Sequence, residues 1–259
     1  MNGLAKHTEK VFEYVSKMDC VKDYTLMGGT ALALQLGHRL SEDLDFCKWH
    51  KDNETVSVYE WADIKKQLSV LGEVKSDWLG ESQCDFLVND VKLTFFADNR
   101  LHEPKCLKRV AYLNNITLVD VATIGVMKLE VMSRRGVFRD YYDMYAILKS
   151  GVSLTDIMAA TGNYTLHDLR RKNMFNILMN IDHISEEKDF QRLHPIYNIS
   201  LQDIQHFFLQ TIKEYIVVNN LQNKTSLTSV LERTSVTSKS AMPTNCTTST
   251  NTSFNTKSP

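Results

Sequence analysis

The chain has 259 residues and carries 30 lysines and arginines against 31 aspartates and glutamates, a formal net charge of −1. Its 10 glycines and 4 prolines exclude a collagen-like or low-complexity protein, and the near-neutral charge excludes a polycation of the histone type. With 43% hydrophobic residues the chain can bury a sizeable core, and its length predicts about one to two domains.

The first 115 residues predict a mixed α/β unit. Apolar residues at helical spacing indicate helices, and period-two alternation indicates strands. A short apolar segment at 24–27 runs into Gly28-Gly29, after which Thr30 can cap a helix that ends at Gly37. The remaining predicted elements of this part are a helix at 4–18, a strand at 43–47, a helix at 58–71 and strands at 73–78, 83–88 and 91–96, with Asn89-Asp90 as a two-residue hairpin turn.

From residue 119 onward the pattern is mostly helical, with Gly136 and Gly151 as natural breaks. We place a domain boundary near Asn114-Asn115, which divides the folded part into an α/β lobe at 1–115 and a helical lobe at 116–219. The predicted helices of the second lobe are 119–134, 140–149, 154–160, 166–181 and 201–218.

The last 40 residues differ in composition from the rest. Between Asn220 and Pro259, 18 residues are serine or threonine, and four cations against one acid give this segment a charge of +3. The preceding 219 residues therefore carry −4. A segment with so little apolar surface does not offset the entropy of ordering, so we predict a disordered tail.

The sequence predicts a cytoplasmic protein that does not cross a membrane. No apolar run approaches the roughly 20 residues that a spanning helix needs, and the N-terminus lacks the apolar stretch of a signal peptide. The five cysteines are odd in number and far apart, which favours reduced thiols over a disulfide framework or a zinc site. They are Cys20, Cys47, Cys84, Cys106 and Cys246.

The most informative stretch combines a glycine pair with two spaced carboxylates. Asp43 and Asp45 are two residues apart on a predicted strand, so alternation places both carboxylates on one face, where they can hold Mg²⁺. Gly28 and Gly29 precede a helix start, where backbone N–H groups can approach a phosphate. Arg39 and Ser41 can add donors to the same phosphates.

The order and spacing of these residues resemble the nucleotidyltransferase superfamily that includes DNA polymerase beta. The form found here, Gly-Gly-Thr-Ala-Leu and then Arg-x-Ser-x-Asp-Leu-Asp-Phe, is similar to the AbiEii branch, the nucleotidyltransferase toxins of type IV toxin–antitoxin and abortive-infection systems. That branch also carries a downstream lysine and an Arg-Asp-x-x-Asp helix start, and this chain has Lys128 and then Arg139-Asp140-Tyr141-Tyr142-Asp143.

The resemblance implies an α+β fold, with a polymerase-beta-like mixed-sheet lobe followed by a helical lobe. It implies transfer of a nucleoside monophosphate from an NTP, with Mg²⁺ or Mn²⁺ as cofactor, RNA or protein as a candidate acceptor, and an antitoxin encoded nearby. The implied catalytic residues are Asp43, Asp45, Lys128 and Asp140, with Asp43 and Asp45 as metal ligands; the implied nucleotide-binding residues are Gly28, Gly29, Thr30, Arg39, Ser41 and Lys128.

The downstream motif also has a physical interpretation of its own. Lys128 lies mid-helix between apolar neighbours, where a charged amine needs a partner such as a phosphate. Asp140 can act as an active-site carboxylate or simply cap the N-terminus of its helix. We expect Asp143 to be structural, in a salt bridge with Arg139 or Arg135.

One difference from the polymerase-beta-like pattern leaves open which residue accepts the proton of the attacking hydroxyl. Many polymerase-beta-like enzymes carry a third carboxylate on a later strand, but the predicted strand at 91–96 contains no acid, and Asp90 and Asp98 only flank it. Either one of these reaches the site, or Asp140 takes the role, or the chain binds nucleotide as a regulator without efficient transfer. A small-molecule nucleotidyltransferase of the antibiotic-modifying kind is a third alternative.

Two groups of cations are candidates for contact with an RNA backbone, although solvated surfaces explain them equally well. They are Lys105, Lys108 and Arg109, and the run Arg170-Arg171-Lys172.

Overall fold

The computed structural model of the chain describes residues 2–50, 61–80, 82–161, 164, 171–185 and 189–218. Residues 1–219 form one compact unit. Residues 220–259 form a second unit that lies outside the described residues, so the disordered tail stays a prediction.

The described residues contain seven strands and eight α-helices. The strands are β1 (Thr25–Met27), β2 (Leu44–His50), β3 (Lys75–Leu79), β4 (Gln83–Val88), β5 (Val91–His102), β6 (Arg109–Leu113) and β7 (Ile116–Val119). The helices are α1 (Lys6–Val15), α2 (Gly28–Leu36), α3 (Trp61–Leu68), α4 (Val121–Arg134), α5 (Phe138–Lys149), α6 (Leu154–Thr161), α7 (Arg171–Met179) and α8 (Leu201–Val218). Three short 3₁₀ helices connect some of them, at Asp19–Asp23, Ser69–Leu71 and Phe190–Leu193.

The seven strands form one mixed sheet in the order β3-β4-β5-β2-β1-β7-β6. Strand β2 lies near its centre, antiparallel to β1 and parallel to β5, and β4 pairs antiparallel with β5. The register places Asp45 opposite Met27 on one side and opposite Thr94 on the other, and Thr94 lies opposite Asp85. Residues in register project from the same face of a sheet, so Asp45, Thr94 and Asp85 share one face.

The opposite face of the sheet is apolar and buried. Leu26, Phe46, Phe95 and Phe86 alternate with the polar residues of the first face and are fully buried. The rings of Phe46 and Phe95 stack with centroids 5.0 Å apart. This alternation is why the strands can form a solid core on one side while offering polar side chains on the other.

Local sequence signals explain where several elements begin and end. Helix α2 ends at Gly37, whose φ of +59° is the left-handed conformation typical of a helix C-terminus. Asn89 and Asp90 both adopt positive φ and form the predicted hairpin turn between β4 and β5. Asp120 caps α4 by accepting a hydrogen bond of 3.0 Å from the Thr123 amide.

The α+β fold, with a mixed sheet followed by helices, is confirmed. Strands β6 and β7 are absent from the predicted elements, because they are only five and four residues long and carry too little alternation to stand out. They add to the sheet beside β1, and the expected lobe boundary at Asn114-Asn115 is the turn between them, with Asn114 at φ +50°. Only parts of the predicted helices at 58–71 and 166–181 fall within the described residues. Within the part of the chain described, no helix is long and apolar enough to cross a membrane.

Candidate active site

The two spaced carboxylates lie at the start of the central strand. Asp45 is the second residue of β2 and is half-buried, while Asp43 is exposed and precedes the strand, which begins one residue later than predicted. Burial raises the pKa of Asp45, and the charge of Asp43 raises it further. The pKa of Asp43 is also raised, by partial desolvation and by the charge of Glu42. A cation between the two would relieve this repulsion.

The glycine pair forms the first turn of α2, directly beside Asp45. Gly28 has a φ of +69°, and a Cβ atom there would stand 3.4 Å from the Asp45 carboxylate Oδ2. At Gly29 a Cβ atom would come within 2.5 Å of the Arg39 guanidinium, so only glycine fits without a shift. The N-terminal amides of α2 lack intrahelical partners and favour an anion. A phosphate can therefore approach the backbone close to the carboxylate pair.

Thr30 and Ser41 connect the helix to the segment that precedes β2. The Thr30 hydroxyl lies 2.8 Å from the Ser41 hydroxyl and also donates a hydrogen bond to the Asp43 carbonyl. Both side chains are buried, and the Ser41 amide donates to the Gly3 carbonyl over 2.9 Å. These contacts fix the carboxylate pair relative to α2. A direct role of either hydroxyl in nucleotide binding stays a prediction.

A buried carboxylate on α5, Asp143, organises the space behind the glycine turn. Its oxygens accept hydrogen bonds from the Arg39 Nε and Nη2 atoms at 2.7 and 2.9 Å, and lie 2.8 Å from His38 Nε2. The Lys128 ammonium is 2.6 Å away. Although burial alone would raise it, the charges of Arg39 and Lys128 hold the pKa of Asp143 well below its usual range. Asp143 is therefore structural, as expected.

The predicted salt bridge between Asp143 and Arg139 or Arg135 is wrong. The Arg135 Nε atom instead donates a hydrogen bond of 2.9 Å to Asp140. The charge of Arg139 acts on Asp43, where it partly offsets the rise in pKa that burial causes. The observed partners His38 and Arg39 lie just after Gly37. More than 100 residues separate them from Asp143, so local helical spacing gives no sign of the pairing.

Lys128 connects Asp143 to the second carboxylate of α5. Its ammonium is 2.8 Å from Asp140 Oδ1 as well as 2.6 Å from Asp143 Oδ2. Asp140 is the third residue of α5 and the N-terminal flanking residue is Val137, so Asp140 is not the helix cap. Burial opposes its ionisation, but Lys128 and Arg135 lower its pKa. Both carboxylates are thus fully charged near neutral pH.

The Lys128 ammonium keeps one donor within this network. An ammonium has three N–H donors, of which Asp140 and Asp143 take two. Desolvation lowers the pKa of His38 and favours its neutral form. The remaining donor of Lys128 suits the anionic phosphates of an NTP.

The residues present fit a divalent cation held jointly by protein and substrate. The charge of Lys128 also acts on Asp45 and lowers its pKa, so the carboxylate pair and the lysine lie within electrostatic reach of each other. Among the described residues, no group of three or more His, Cys, Asp or Glu side chains could hold a metal. Mg²⁺ is commonly bound by one or two carboxylates together with substrate phosphates and waters, which is the set that Asp43 and Asp45 offer.

Comparison with known proteins identifies the family of the chain. The sequence model described as nucleotidyl transferase AbiEii toxin, type IV TA system, matches residues 15–212. The chain belongs to the AbiEii nucleotidyltransferase toxin family. It is therefore a transferase that uses an NTP and transfers its nucleoside monophosphate, and the family implies a toxin role with an antitoxin partner.

The individual proteins that resemble this chain have low sequence identity to it. An uncharacterized protein of Aquifex aeolicus (strain VF5) is 26% identical over 228 residues, which cover 83% of this chain and 99% of that protein. The nucleotidyltransferase toxin MenT4 of Mycobacterium tuberculosis H37Rv is 14% identical with a TM-score of 0.46, over 74% of this chain and 76% of that one. The Megavirus polyadenylate synthase is 16% identical with a TM-score of 0.38, over 55% of this chain and 31% of that one.

The AbiEii chain carries a further acid near the site that the sequence analysis missed. Asp85 on β4 lies in register with Thr94 on β5, which itself lies opposite Asp45 on β2, so the three side chains share one face of the sheet. Asp85 is nearly buried and pairs with Lys92 at 2.9 Å. It could have been found from the sequence only by pairing β4 with β5 through the Asn89-Asp90 turn.

The other two acids considered for this role occupy different places. Asp90 lies in the turn before β5, and Asp98 lies within the strand, which is longer than predicted and extends to His102. The side chain of Asp98 is outside the described part of the structure.

Of the candidate RNA contacts, Lys105, Lys108 and Lys172 are exposed. Arg109 has internal partners: it pairs with Glu103 at 2.8 Å, and its guanidinium lies over the Trp49 ring at 5.7 Å. Arg170 and the side chain of Arg171 are outside the described residues.

The carboxylates of the site predict how stability depends on pH in the absence of metal. Asp140 and Asp143 have lowered pKa values, so the stability they contribute is complete above the unfolded value near 3.8 and is lost as pH falls through their folded values. Asp43 and Asp45 have raised pKa values, so as the pH falls from neutral they bind protons in the folded state before they do so in the unfolded state. The folded state therefore gains stability from these two residues until the pH reaches the unfolded value near 3.8. We expect the melting temperature in EDTA to rise as the pH falls from 7 toward about 4 and to decrease at lower pH. A peak at neutral pH with a steady fall from pH 7 to pH 5 would contradict this assignment.

Proposed function

We propose that this AbiEii-family enzyme transfers a nucleoside monophosphate to a hydroxyl group of RNA, releases pyrophosphate and depends on Mg²⁺ or Mn²⁺. The observation that supports this most directly is the placement of Asp45 beside the N-terminus of α2, with the position of a Gly28 Cβ only 3.4 Å from its carboxylate. Phosphate-binding backbone and metal-binding carboxylates thus adjoin each other.

The carboxylate pair Asp43 and Asp45 would hold the metal. When bound, the metal orients the triphosphate and offsets the negative charge that develops on the transferring phosphoryl group. Because burial raises the pKa of both carboxylates in its absence, a bound divalent cation would favour their ionised forms.

The triphosphate would lie between the glycine turn and the lysine. Amides of Gly28 and Gly29 would donate to phosphate oxygens, and the Lys128 ammonium would supply a charged donor from α4. Because Asp140 and Asp143 both hold this ammonium, its position is fixed before substrate arrives. Such preorganisation is the main way in which an enzyme lowers the barrier of phosphoryl transfer.

This geometry gives Asp140 a role other than proton acceptor. It is 1% exposed and paired with both Lys128 and Arg135, and its lowered pKa makes it a weak base. We assign it to positioning Lys128. The proton that the acceptor hydroxyl loses would pass to solvent water or to the pyrophosphate that is released.

The acceptor class is tested by direct comparison. Purified protein is incubated with each α-labelled NTP and Mg²⁺ or Mn²⁺, together with total cellular RNA, protein extract or an aminoglycoside. We expect the label to enter RNA and to depend on the metal. Label only in the aminoglycoside or in protein would overturn the RNA assignment. NTP binding without any labelled acceptor would favour a nucleotide-binding regulator instead. The variant Asp63→Asn, in the exposed first turn of α3, serves as the control and should label RNA like the native chain.

A further inference from the structure

The polar face of the sheet carries three acids around one cation. Asp45, Thr94 and Asp85 lie side by side on β2, β5 and β4, and Lys92 projects from the same face two residues before Thr94. Asp43 precedes Asp45 by two residues. Each neighbouring strand adds about 4.8 Å, so Asp85 lies roughly 10 Å from Asp45 between Cα atoms, with Lys92 and Thr94 between the two acids.

Lys92 is held on the side away from the proposed metal ligands. Its ammonium lies 2.9 Å from Asp85 Oδ2, and its side chain is 45% exposed. Asp85 raises the pKa of Lys92 most strongly, by hydrogen bonding and by charge, and Asp45 and Asp43 add to this effect. The ammonium is therefore within electrostatic reach of all three carboxylates but in contact with the outermost one.

The Asp85 side chain is held in place by its surroundings, whereas the Lys92 side chain can adopt other rotamers. The Asp85 carboxylate is buried and accepts a hydrogen bond of 3.0 Å from Gln83. Lysine carries its charge on a four-carbon stem with many rotamers. Without Asp85, the nearest opposite charges for the ammonium would be Asp43 and Asp45. A lysine paired with these carboxylates would compete with a divalent cation for the same oxygens.

We propose that Asp85 is a positioning residue that holds the Lys92 ammonium away from the Asp43–Asp45 pair and so keeps this pair open to a divalent cation. The proposal rests on the proposed function, since it takes Asp43 and Asp45 as the metal ligands. It assigns to Asp85 an effect on metal affinity that is exerted entirely through Lys92.

The test measures Mn²⁺ binding to the full chain without nucleotide, by titration calorimetry or electron paramagnetic resonance. Asp85→Asn should weaken Mn²⁺ binding by roughly threefold to tenfold, because the released ammonium turns toward the metal ligands. Lys92→Met should tighten binding, because it removes a competing positive charge. In the double variant the binding constant should equal that of Lys92→Met alone.

The double variant distinguishes positioning from other roles of Asp85. If Asp85→Asn weakens binding equally with and without Lys92, Asp85 ligates the metal or supports the fold, and the proposal falls. It falls also if Asp85→Asn changes nothing. The control Asp19→Asn breaks an exposed lysine–aspartate pair of 2.6 Å with Lys22, in the 3₁₀ helix before β1, and should leave Mn²⁺ affinity unchanged.

Failure of the proposed function gives a different result. If Mn²⁺ binding does not depend on Asp45, as judged by Asp45→Asn, then the metal site itself is misassigned and both proposals fall. If binding depends on Asp45 but not on Asp85, only the positioning role of Asp85 is contradicted. The melting temperature of each variant, measured in EDTA, shows whether the fold persists.

Discussion

Replacing Asp143 with asparagine is expected to lower the free energy of unfolding by about 3–5 kcal/mol. The neutral amide would leave the buried charges of Arg39 and Lys128 without their shared partner, in a place with no access to water. For a chain of this size, each kcal/mol corresponds to about 2–4 °C, so the melting temperature should fall by roughly 6–20 °C. Thermal unfolding followed by circular dichroism measures this effect.

The matched control is Asp182→Asn, at an exposed carboxylate in a turn. A surface substitution of this kind should stay within about 0.5 kcal/mol of the native chain. If Asp143→Asn changed the free energy of unfolding as little as Asp182→Asn, the idea that this network holds α5 against the glycine turn would be contradicted. The network consists of His38, Arg39, Lys128 and Asp143.

The second large effect is expected at Asp45, with the opposite balance between stability and activity. Asp45→Asn should reduce nucleotidyl transfer by a factor on the order of 10³, since it removes a ligand of the proposed metal. The melting temperature should stay the same or rise, because burial and the charge of Asp43 raise the pKa of Asp45 and so disfavour its ionised form. Transfer rate and melting temperature are measured on the same preparation.

Two outcomes would contradict this assignment. A variant that loses activity together with several degrees of melting temperature would show Asp45 to be structural. A variant that retains activity would show that the metal is held elsewhere. Asp63→Asn again provides the control, because this exposed residue lies on α3 and should change neither quantity.

The sequence was most informative where structure depends on neighbours along the chain. The end of α2 at Gly37 and the Asn89-Asp90 hairpin follow from backbone preferences of single residues and occur as predicted. The predicted cap at Thr30 is wrong, because α2 already begins at Gly28 and Met27 is its N-terminal flanking residue. The alternation of β2 placed Asp45 on a polar face for the same reason. Family resemblance, confirmed by the match over residues 15–212, supplied the chemistry of that face.

Contacts that join distant parts of the chain did not follow from such patterns. The pairing of Arg39 with Asp143 spans 104 residues, and the alignment of Asp85 with Thr94 and Asp45 depends on strand order. The sequence indicated instead a bridge between Asp143 and Arg139 or Arg135, because only residues close together in the chain are visible as neighbours in the sequence. The packing of α2, α4 and α5 determines which carboxylate forms a salt bridge with which cation.

The two acids of α5 illustrate this limit. Asp140 and Asp143 look alike in the sequence, three residues apart and each next to a tyrosine. In the structure both bind Lys128, but Asp140 also binds Arg135, whose side chain is 56% exposed, whereas Asp143 binds His38 and Arg39, which are buried. The different burial of their partners explains why loss of Asp143 is expected to affect the whole fold.

The central claim is transfer of a nucleoside monophosphate through the Asp43–Asp45 site, and the position of the label tests it most directly. NTP labelled at the α-phosphate is compared with NTP labelled at the γ-phosphate, using native chain and Asp45→Asn, with cellular RNA and Mg²⁺. We predict that only the α-label enters RNA, that the γ-label appears in pyrophosphate, and that Asp45→Asn transfers neither. Transfer of the γ-label, or α-label transfer that survives Asp45→Asn, would contradict the account.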